Sequence, residues 1–501
     1  MDKYILAVDQ STQGTKGLLF DGDGHLIARC DRAHAQIVND RGWVEHDPEE
    51  IYVNTLAAVR DVAEKAGIAK EQILAVGISN QRETALAWDR ASGKPVYNAI
   101  VWQCARGAGI CRRLDTGDFA QRVKQATGLP LSPYFSAAKL AWILENVQDA
   151  KRKAAEGSLC MGTVDSWLVY RLTGGRAFKT DYSNASRTQL FNISSLRWDE
   201  ELCRAFGIPK HCLAQVCGSD SVFGETDFEG FLPRPVPICG VLGDSHGALF
   251  GQGCLRPGMV KATYGTGSSV MMNIGSRPVF GKDVVTSLAW GMDGKVDYVL
   301  EGNINYTGAV ISWLKNDLHL IQSAAEAQSL AEKANPDDRT YLVPAFTGLG
   351  APYWDSAATA VMTGMTRTTG KAEVVRAAEN CIAYQITDIV ESMRGQSGLP
   401  ITELRADGGP TGDGYLMQFQ SDLIGLPVRI PGLQELSGMG AAFTAGISAG
   451  LYDGEKIFDR AYLTEYRSKM PAAERERLLS GWKQAVALAL HHEVKHRAIP
   501  C

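Results

Sequence analysis

Apolar and polar positions along this chain fall into blocks whose period changes. Ile5 to Val8 is an unbroken apolar run; the polar stretch "DQSTQGTK" follows, and Gly17 to Phe20 turns apolar again. Short apolar runs bounded by turn residues read as buried strands, and two this close read as a hairpin. "HLIAR", residues 25–29, adds a third strand. From Pro48 to Ala66 the apolar positions recur every three to four residues, the helix period, before "ILAVGISN" and "ETALAWD" restore the strand pattern. A further amphipathic stretch covers Lys139 to Asn146. Strands alternating with helices predict an α/β architecture with crossover helices.

A second series begins after "PVPICGVLGDSHGALFGQG". Its opening, "VKATYGTGSSVMMNIG", repeats the design of the first hairpin: apolar strand, Thr/Gly/Ser turn, apolar strand. Two hairpins of one design in two halves predict an internal duplication. The junction falls near residues 247–258, where "GALFGQGCLRPG" supplies glycines and a proline, giving expected domains 1–249 and 250–501. No long linker interrupts either half, so the two are expected to pack face to face across a cleft.

Composition narrows the picture. A chain of 501 residues is too long for one core. Its net charge of −5 gives no basic footprint, which argues against nucleic acid as a partner. No apolar run approaches the roughly 20 residues that span a bilayer, and "MDKYILAVDQ" runs into a strand without a cleavable leader. The eleven cysteines show no CxxC pair or metal-type spacing. They read as small buried hydrophobes of a reduced, cytoplasmic protein without disulfides.

The first hairpin admits two readings. It is a plain polar turn, or it is a cradle in which backbone N–H groups wrap a phosphate, Thr12 and Thr15 add donors, Lys16 adds charge and Asp9 holds a metal. Asp244, in "VLGDSHGALFGQG", stands at a strand-to-helix corner facing the cleft. It reads either as a helix N-cap or as a functional acid.

The residues carry a resemblance that bears on these choices. "DQSTQGTKGLLFD", "GWVEHDPEE", "GISNQRET", "NAIVWQ", "TDYSNASRTQLFNI", "YGTGS", "AWGMDGKV" and "LMQFQSD" occur in the order shown by the FGGY carbohydrate kinases, which the chain resembles from end to end, most closely the glycerol kinase branch. "YFSAAKLAWILEN", Tyr134 to Asn146, fits a family signature fully. "AVMTGMTRTTGKAEVVRAAENCIAYQ" fits a second through Ala378, then departs: Glu379 replaces an apolar residue and Asn380 an acid.

The resemblance implies the actin-like ATPase fold, with two ribonuclease-H-like domains, the nucleotide in the cleft between them and closure on binding. It implies ATP and Mg²⁺, with Asp244 as catalytic base and Asp9 and Asp244 placing the metal. Thr12, Lys16, Gly265, Thr266 and Gly267 would grip the terminal phosphates, and Gly308, Gly409 and Asp413 the adenosine end. Arg82, Glu83, Trp102, Tyr134, Asp244 and Ser245 would form the acceptor pocket. Taken singly, these residues read as turn glycines, ion pairs or core aromatics.

Several positions depart from the branch. Lys16 stands for Arg, which keeps the charge without the bidentate geometry. Asp413 stands for Asn, Ser312 for Gln and Ser245 for Gln, while Cys104 and Ala105 replace polar residues. His246, in "DSH", resembles ribulose-type members, although the "QMH" of xylulose kinases is absent; the plain alternative is a helix-packed histidine bonded to a backbone carbonyl.

The expected function is ATP- and Mg²⁺-dependent phosphorylation of a terminal hydroxyl of a small polyol or ketose. Glycerol is the first substrate, with a pentulose (xylulose or ribulose) or a four- to five-carbon polyol as the alternative. From another class, a non-catalytic actin-like sugar-sensing or assembly protein is the rival, with a chaperone-type ATPase behind it. Family precedent points to a homodimer or tetramer.

Overall fold

The computed structural model describes residues 2–432, 435–458 and 462–490. The first apolar runs form the strands Tyr4–Gln10 and Gly14–Phe20, paired antiparallel so that Asp9 faces Lys16. Leu26–Ala33 adds the third strand, and the helix Pro48–Ala66 closes over Gly14–Phe20 and Leu26–Ala33. The helix has the ends its sequence dictates. The Asp47 carboxylate accepts from Glu49 N–H, Pro48 needs no donor partner, and Gly67 takes the left-handed cap at φ 64°.

The chain then builds a six-stranded sheet in the order Gly224–Thr226, Val236–Gly243, Ile73–Asn80, Tyr4–Gln10, Gly14–Phe20, Leu26–Ala33. Its three central strands, Val236–Gly243, Ile73–Asn80 and Tyr4–Gln10, are parallel. Asp9 pairs with Ser79 and Ser79 with Leu242, so Asp9 and Asp244 open on the same sheet edge. Ligands of open α/β sheets collect at this carboxyl end.

The second half repeats the plan. Val260–Tyr264 and Ser268–Gly275 form an antiparallel hairpin, Lys295–Ile304 and Val285–Met292 extend it, and Leu404–Asp407 joins Val260–Tyr264 in parallel within a seven-stranded sheet. A separate antiparallel sheet, which includes Ala85–Asp89 and Ala99–Ile100, flanks the first half and carries the segments leading to Arg82 and Trp102.

The halves share a core. Ile5, Leu18 and Leu242 of the first sheet, Met271 and Val299 of the second, and Met439 and Phe443 of the helix Leu436–Ser448 belong to one buried apolar cluster. That helix lies in sequence between two strands of the second sheet, Val428–Pro431 and Tyr462–Tyr466, but packs on the first, against Val236–Gly243, Ile73–Asn80 and the helix Asp244–Gly251. Small residues permit the approach: a Cβ on Gly440 would stand 2.6 Å from the carbonyl carbon of Gly247. Among the described residues no helix is long and apolar enough to cross a membrane, and the ten described cysteines are free thiols.

Candidate active site

The acceptor-type residues converge at the sheet edge. Gly243 ends the strand and occupies the N-cap position, so Asp244 is the first residue of the helix and not its cap. Its Oδ1 accepts from the Ser245 N–H at 2.6 Å and from Arg82 Nε at 3.1 Å, while its side chain stays 34% exposed. Arg82 also donates to Ser245 Oγ at 3.1 Å and forms a bidentate pair with Glu301 at 3.0 and 2.9 Å. Glu301 pairs in turn with Arg187 at 2.8 Å, and Arg187 Nε donates to Glu83 at 2.5 Å. Five charged groups thus form one chain, four of them buried.

Glu83 is held at φ 59°, a left-handed conformation that a non-glycine residue adopts under constraint. Beside it, Tyr134 and Trp102 stand 5.5 Å apart, and Tyr134 also meets Phe135 at 5.2 Å. Buried Lys139 fixes the loop that presents Tyr134, donating to the carbonyls of Pro133, Tyr134 and Phe135. Burial depresses its pKa to about 7. The Trp102 indole donates to Thr12 Oγ1 at 3.0 Å, joining the first hairpin to the acceptor side.

On that hairpin Lys16 lies 2.7 Å from Glu435 and 3.7 Å from Asp9, and Glu435 also holds Arg29. Asp9 is buried, and its Oδ1 has no hydrogen-bond partner among the described residues. Burial pushes its pKa up to about 6, with Lys16 pulling the other way. A buried, half-satisfied carboxylate beside a second acid is the donor set that suits a divalent cation.

The nucleotide-type residues gather around the second hairpin. The Gly265 carbonyl accepts from Gly308 N–H at 2.9 Å, and the Thr266 carbonyl from Thr307 and Ala309 at 2.9 and 3.1 Å. The helix Gly308–Asn316 therefore starts against the turn, bringing Gly265, Thr266 and Gly308 together. Gly409 follows at the turn Gly409–Gly412, with open space over its Cα. Gly408, which sequence reasoning passed over, makes the tight approach: at φ 100° it lies against Tyr264, where a Cβ would clash with the carbonyl. Asp413 caps the helix Gly414–Ile424 through Leu416 N–H at 2.9 Å. Ser312 is exposed on Gly308–Asn316.

Arg187, Glu301 and Glu435 also escaped the sequence reading. Arg187 sits inside the recognised "SRTQLF", and Glu301 is an acid within the apolar run "YVLEGNI", a signal that was available. Glu435 carried none. Two departures are relocated. Cys104 belongs to the apolar cluster behind the pocket, touching Arg106. His246 meets the Ser287 hydroxyl at 3.4 Å in place of a backbone carbonyl, and its Nδ1 has no partner among the described residues; burial holds it well below the usual imidazole range.

Glu379 is the least comfortable of the departures. It is 1% exposed, and the carboxylates of Asp413 and Glu332 face it. Burial first, then Asp413, pushes its pKa to about 9 from 4.5. Between those values Glu379 holds its proton in the folded chain and loses it in the unfolded one, so this group's contribution to stability falls as pH rises from 4.5 to about 9. Glu379→Leu is expected to raise stability by roughly 1–3 kcal/mol at pH 8 and to flatten that decline. Urea titrations at pH 6 and pH 9 check it; identical slopes for both proteins would show that Glu379 ionises normally.

The comparisons with known proteins identify the family. The N-terminal domain of the FGGY family of carbohydrate kinases matches residues 4–251, and the C-terminal domain of the same family matches residues 260–449. Glycerol kinase 1 of Thermotoga maritima is 49% identical over 486 residues, covering 96% of this chain and 99% of its own. The glycerol kinase of Carboxydothermus hydrogenoformans is 46% identical over 496 residues, with coverage of 98% and 99%. The crystal structure of Plasmodium falciparum glycerol kinase with ADP superimposes with a TM-score of 0.92 at 33% identity, over 98% of this chain and 99% of that one.

Proposed function

The chain belongs to the FGGY family of carbohydrate kinases, with the actin-like ATPase fold, and on that premise we propose that it transfers the terminal phosphoryl group of ATP to a terminal hydroxyl of glycerol. The observation that carries the reading is the junction at Asp244. This acid sits at the open end of the parallel strands with its carboxylate oriented by Arg82, next to Ser245 and within the network that fixes Glu83.

Phosphoryl transfer needs positioning and charge neutralisation more than covalent help. Arg82 and Glu83 offer a donor and an acceptor to vicinal hydroxyls, Trp102 an apolar face to the carbon side, and Tyr134 a polar tip. Asp244 takes the proton of the attacking hydroxyl as its oxygen bonds to the γ-phosphorus and the bond to ADP breaks. Thr12 and Lys16 from one half, and Gly265, Thr266 and Gly267 from the other, hold the phosphate oxygens. Gly308, Gly409 and Asp413 receive the adenosine end. Asp9 and Asp244 are the residues that would hold Mg²⁺, which supplies neutralisation of phosphate charge when bound.

Residues 1–249 form the acceptor half and 250–501 the nucleotide half, with Leu436–Ser448 of the latter docked on the former. The free thiols among the described residues suit a cytoplasmic enzyme, and family precedent points to a homodimer or tetramer.

A second acceptor class, four- to five-carbon polyols and pentuloses, is favoured by one feature. Ser245 touches Arg82 yet is shorter than the glutamine of the glycerol kinase branch, leaving room and one hydrogen-bonding group fewer. The test is steady-state kcat/KM for glycerol, erythritol, D-xylulose and D-ribulose with the wild type and Ser245→Gln. Glycerol is expected to lead in both, with the variant shifted toward it by roughly ten- to hundredfold, because a site that bonds a hydroxyl discriminates strongly. Ratios that move less than about twofold on the tenfold-per-1.4-kcal/mol scale remove position 245 from the pocket. A pentulose ahead of glycerol in the wild type reverses the order of the two readings.

A further inference from the structure

Glu301 is carried by the second sheet, yet both of its ion pairs are with the first half. Its strand, Lys295–Ile304, is pinned on both sides, with Glu301 facing Met271 on one neighbour and Val285 on the other. The carboxylate is fully buried and receives Arg82 through two bonds and Arg187 through a third contact. Ser269, two residues beyond Gly267 of the second hairpin, donates to the same carboxylate at 3.4 Å. A short polar path therefore runs from the phosphate-type hairpin through Glu301 to Arg82, and from there to Asp244 and Ser245. A second branch runs through Arg187 to Glu83.

Arg82, Glu83, Arg187 and Glu301 are buried, so these four charges are shielded from water. Burial alone would push the Glu301 pKa up, but Arg187 and Arg82 outweigh it and hold the group well below the usual carboxylate range. The link therefore persists at every working pH. Removing one member of such a group strands the opposite charge in the interior, a far greater loss than the pair contributes over an apolar filler. An apolar contact would also join the halves. What the carboxylate adds is direction, since its two oxygens fix the plane of the Arg82 guanidinium and so aim Nε at Asp244.

We propose that Glu301 is a positioning residue that couples the acceptor pocket to the nucleotide half. It aims Arg82 and Arg187 only while the second sheet is seated against the first, so each ligand strengthens binding of the other. The inference rests on the assignment of the two halves given above. It goes beyond that assignment in making the acceptor pocket a joint property of both sheets. Coupling of this kind is reciprocal, and it lies typically between about 5- and 150-fold.

Calorimetric titration of glycerol with and without saturating ADP, a pair that cannot react, measures the coupling directly. The wild type is expected to bind glycerol at least about fivefold more tightly with ADP present. In Glu301→Gln that ratio should fall below about twofold, and the KM for glycerol should rise much more than kcat falls, a split that general loosening of the fold does not produce. Glu301→Asp, which keeps the charge but retracts it, should recover part of the ratio. A folded Glu301→Gln variant that keeps fivefold coupling overturns the proposal. So does a wild-type ratio of one, which needs no variant to fold; if glycerol is nonetheless phosphorylated, the kinase reading stands and only the coupling role falls.

Discussion

Replacing Asp244 with asparagine is expected to lower kcat by about 10²–10⁴, the usual cost of losing a general base, while ADP binds as in the wild type. The amide preserves size but cannot take up the hydroxyl proton. The architecture has reason to survive the change, because Arg82 keeps its bidentate pair with Glu301 and its bond to Ser245. The loss should therefore appear in the chemical step and not in folding. Turnover is measured at saturating ATP and acceptor, and nucleotide affinity by calorimetry. Retention of a tenth or more of the wild-type kcat would take the proton-accepting role away from this carboxylate.

The second large effect is expected at Lys16. Its ammonium is drawn inward by Glu435 and Asp9 at the mouth of the first hairpin, where a transferring phosphate would find it already oriented. Lys16→Ala should lower kcat by about 10²–10³, the range for removing one preorganised donor to developing charge. The acceptor KM should stay within about threefold, since the lysine makes no contact with the acceptor pocket's network. The variant should fold, because Glu435 retains Arg29. A defect confined to the acceptor KM would place Lys16 at the other end of the cleft.

What could be read from the sequence is what local chemistry decides. The helix Pro48–Ala66 was legible to the residue because Asp47, Pro48 and Gly67 each dictate a helix end within one turn. The first hairpin, the second hairpin and the strand Ile73–Asn80 were legible because continuous apolar runs ended at small polar residues. The strand ends carrying Asp9 and Asp244 followed from the same pattern, and the structure brings them to one edge.

The less legible part is non-local. Arg82 and Glu301 are 219 positions apart, and Lys16 and Glu435 are separated by 419, so no window of sequence contains either pair. The docking of Leu436–Ser448 on the first sheet depends on glycines at 77, 240 and 247, which local reading assigns to turns and strand weakness and not to the approach of a distant helix. His246 shows the same limit: its helical setting was legible, but its partner, Ser287, is supplied by a strand of the other half.

In the proposed reaction one cleft joins an acceptor held by the first half to a nucleotide held by both, with Asp244 at the junction. Acceptor-dependent ADP formation tests it most directly, with purified protein, ATP and Mg²⁺, each polyol or ketose in turn, and the phosphorylated product followed by ³¹P resonance. ADP should appear only when an acceptor is present, glycerol should give the highest kcat/KM and a phosphomonoester on a terminal carbon, and Asp244→Asn should give almost none of either. ADP released at the same rate without any acceptor, or no phosphomonoester from any polyol or ketose, would contradict it.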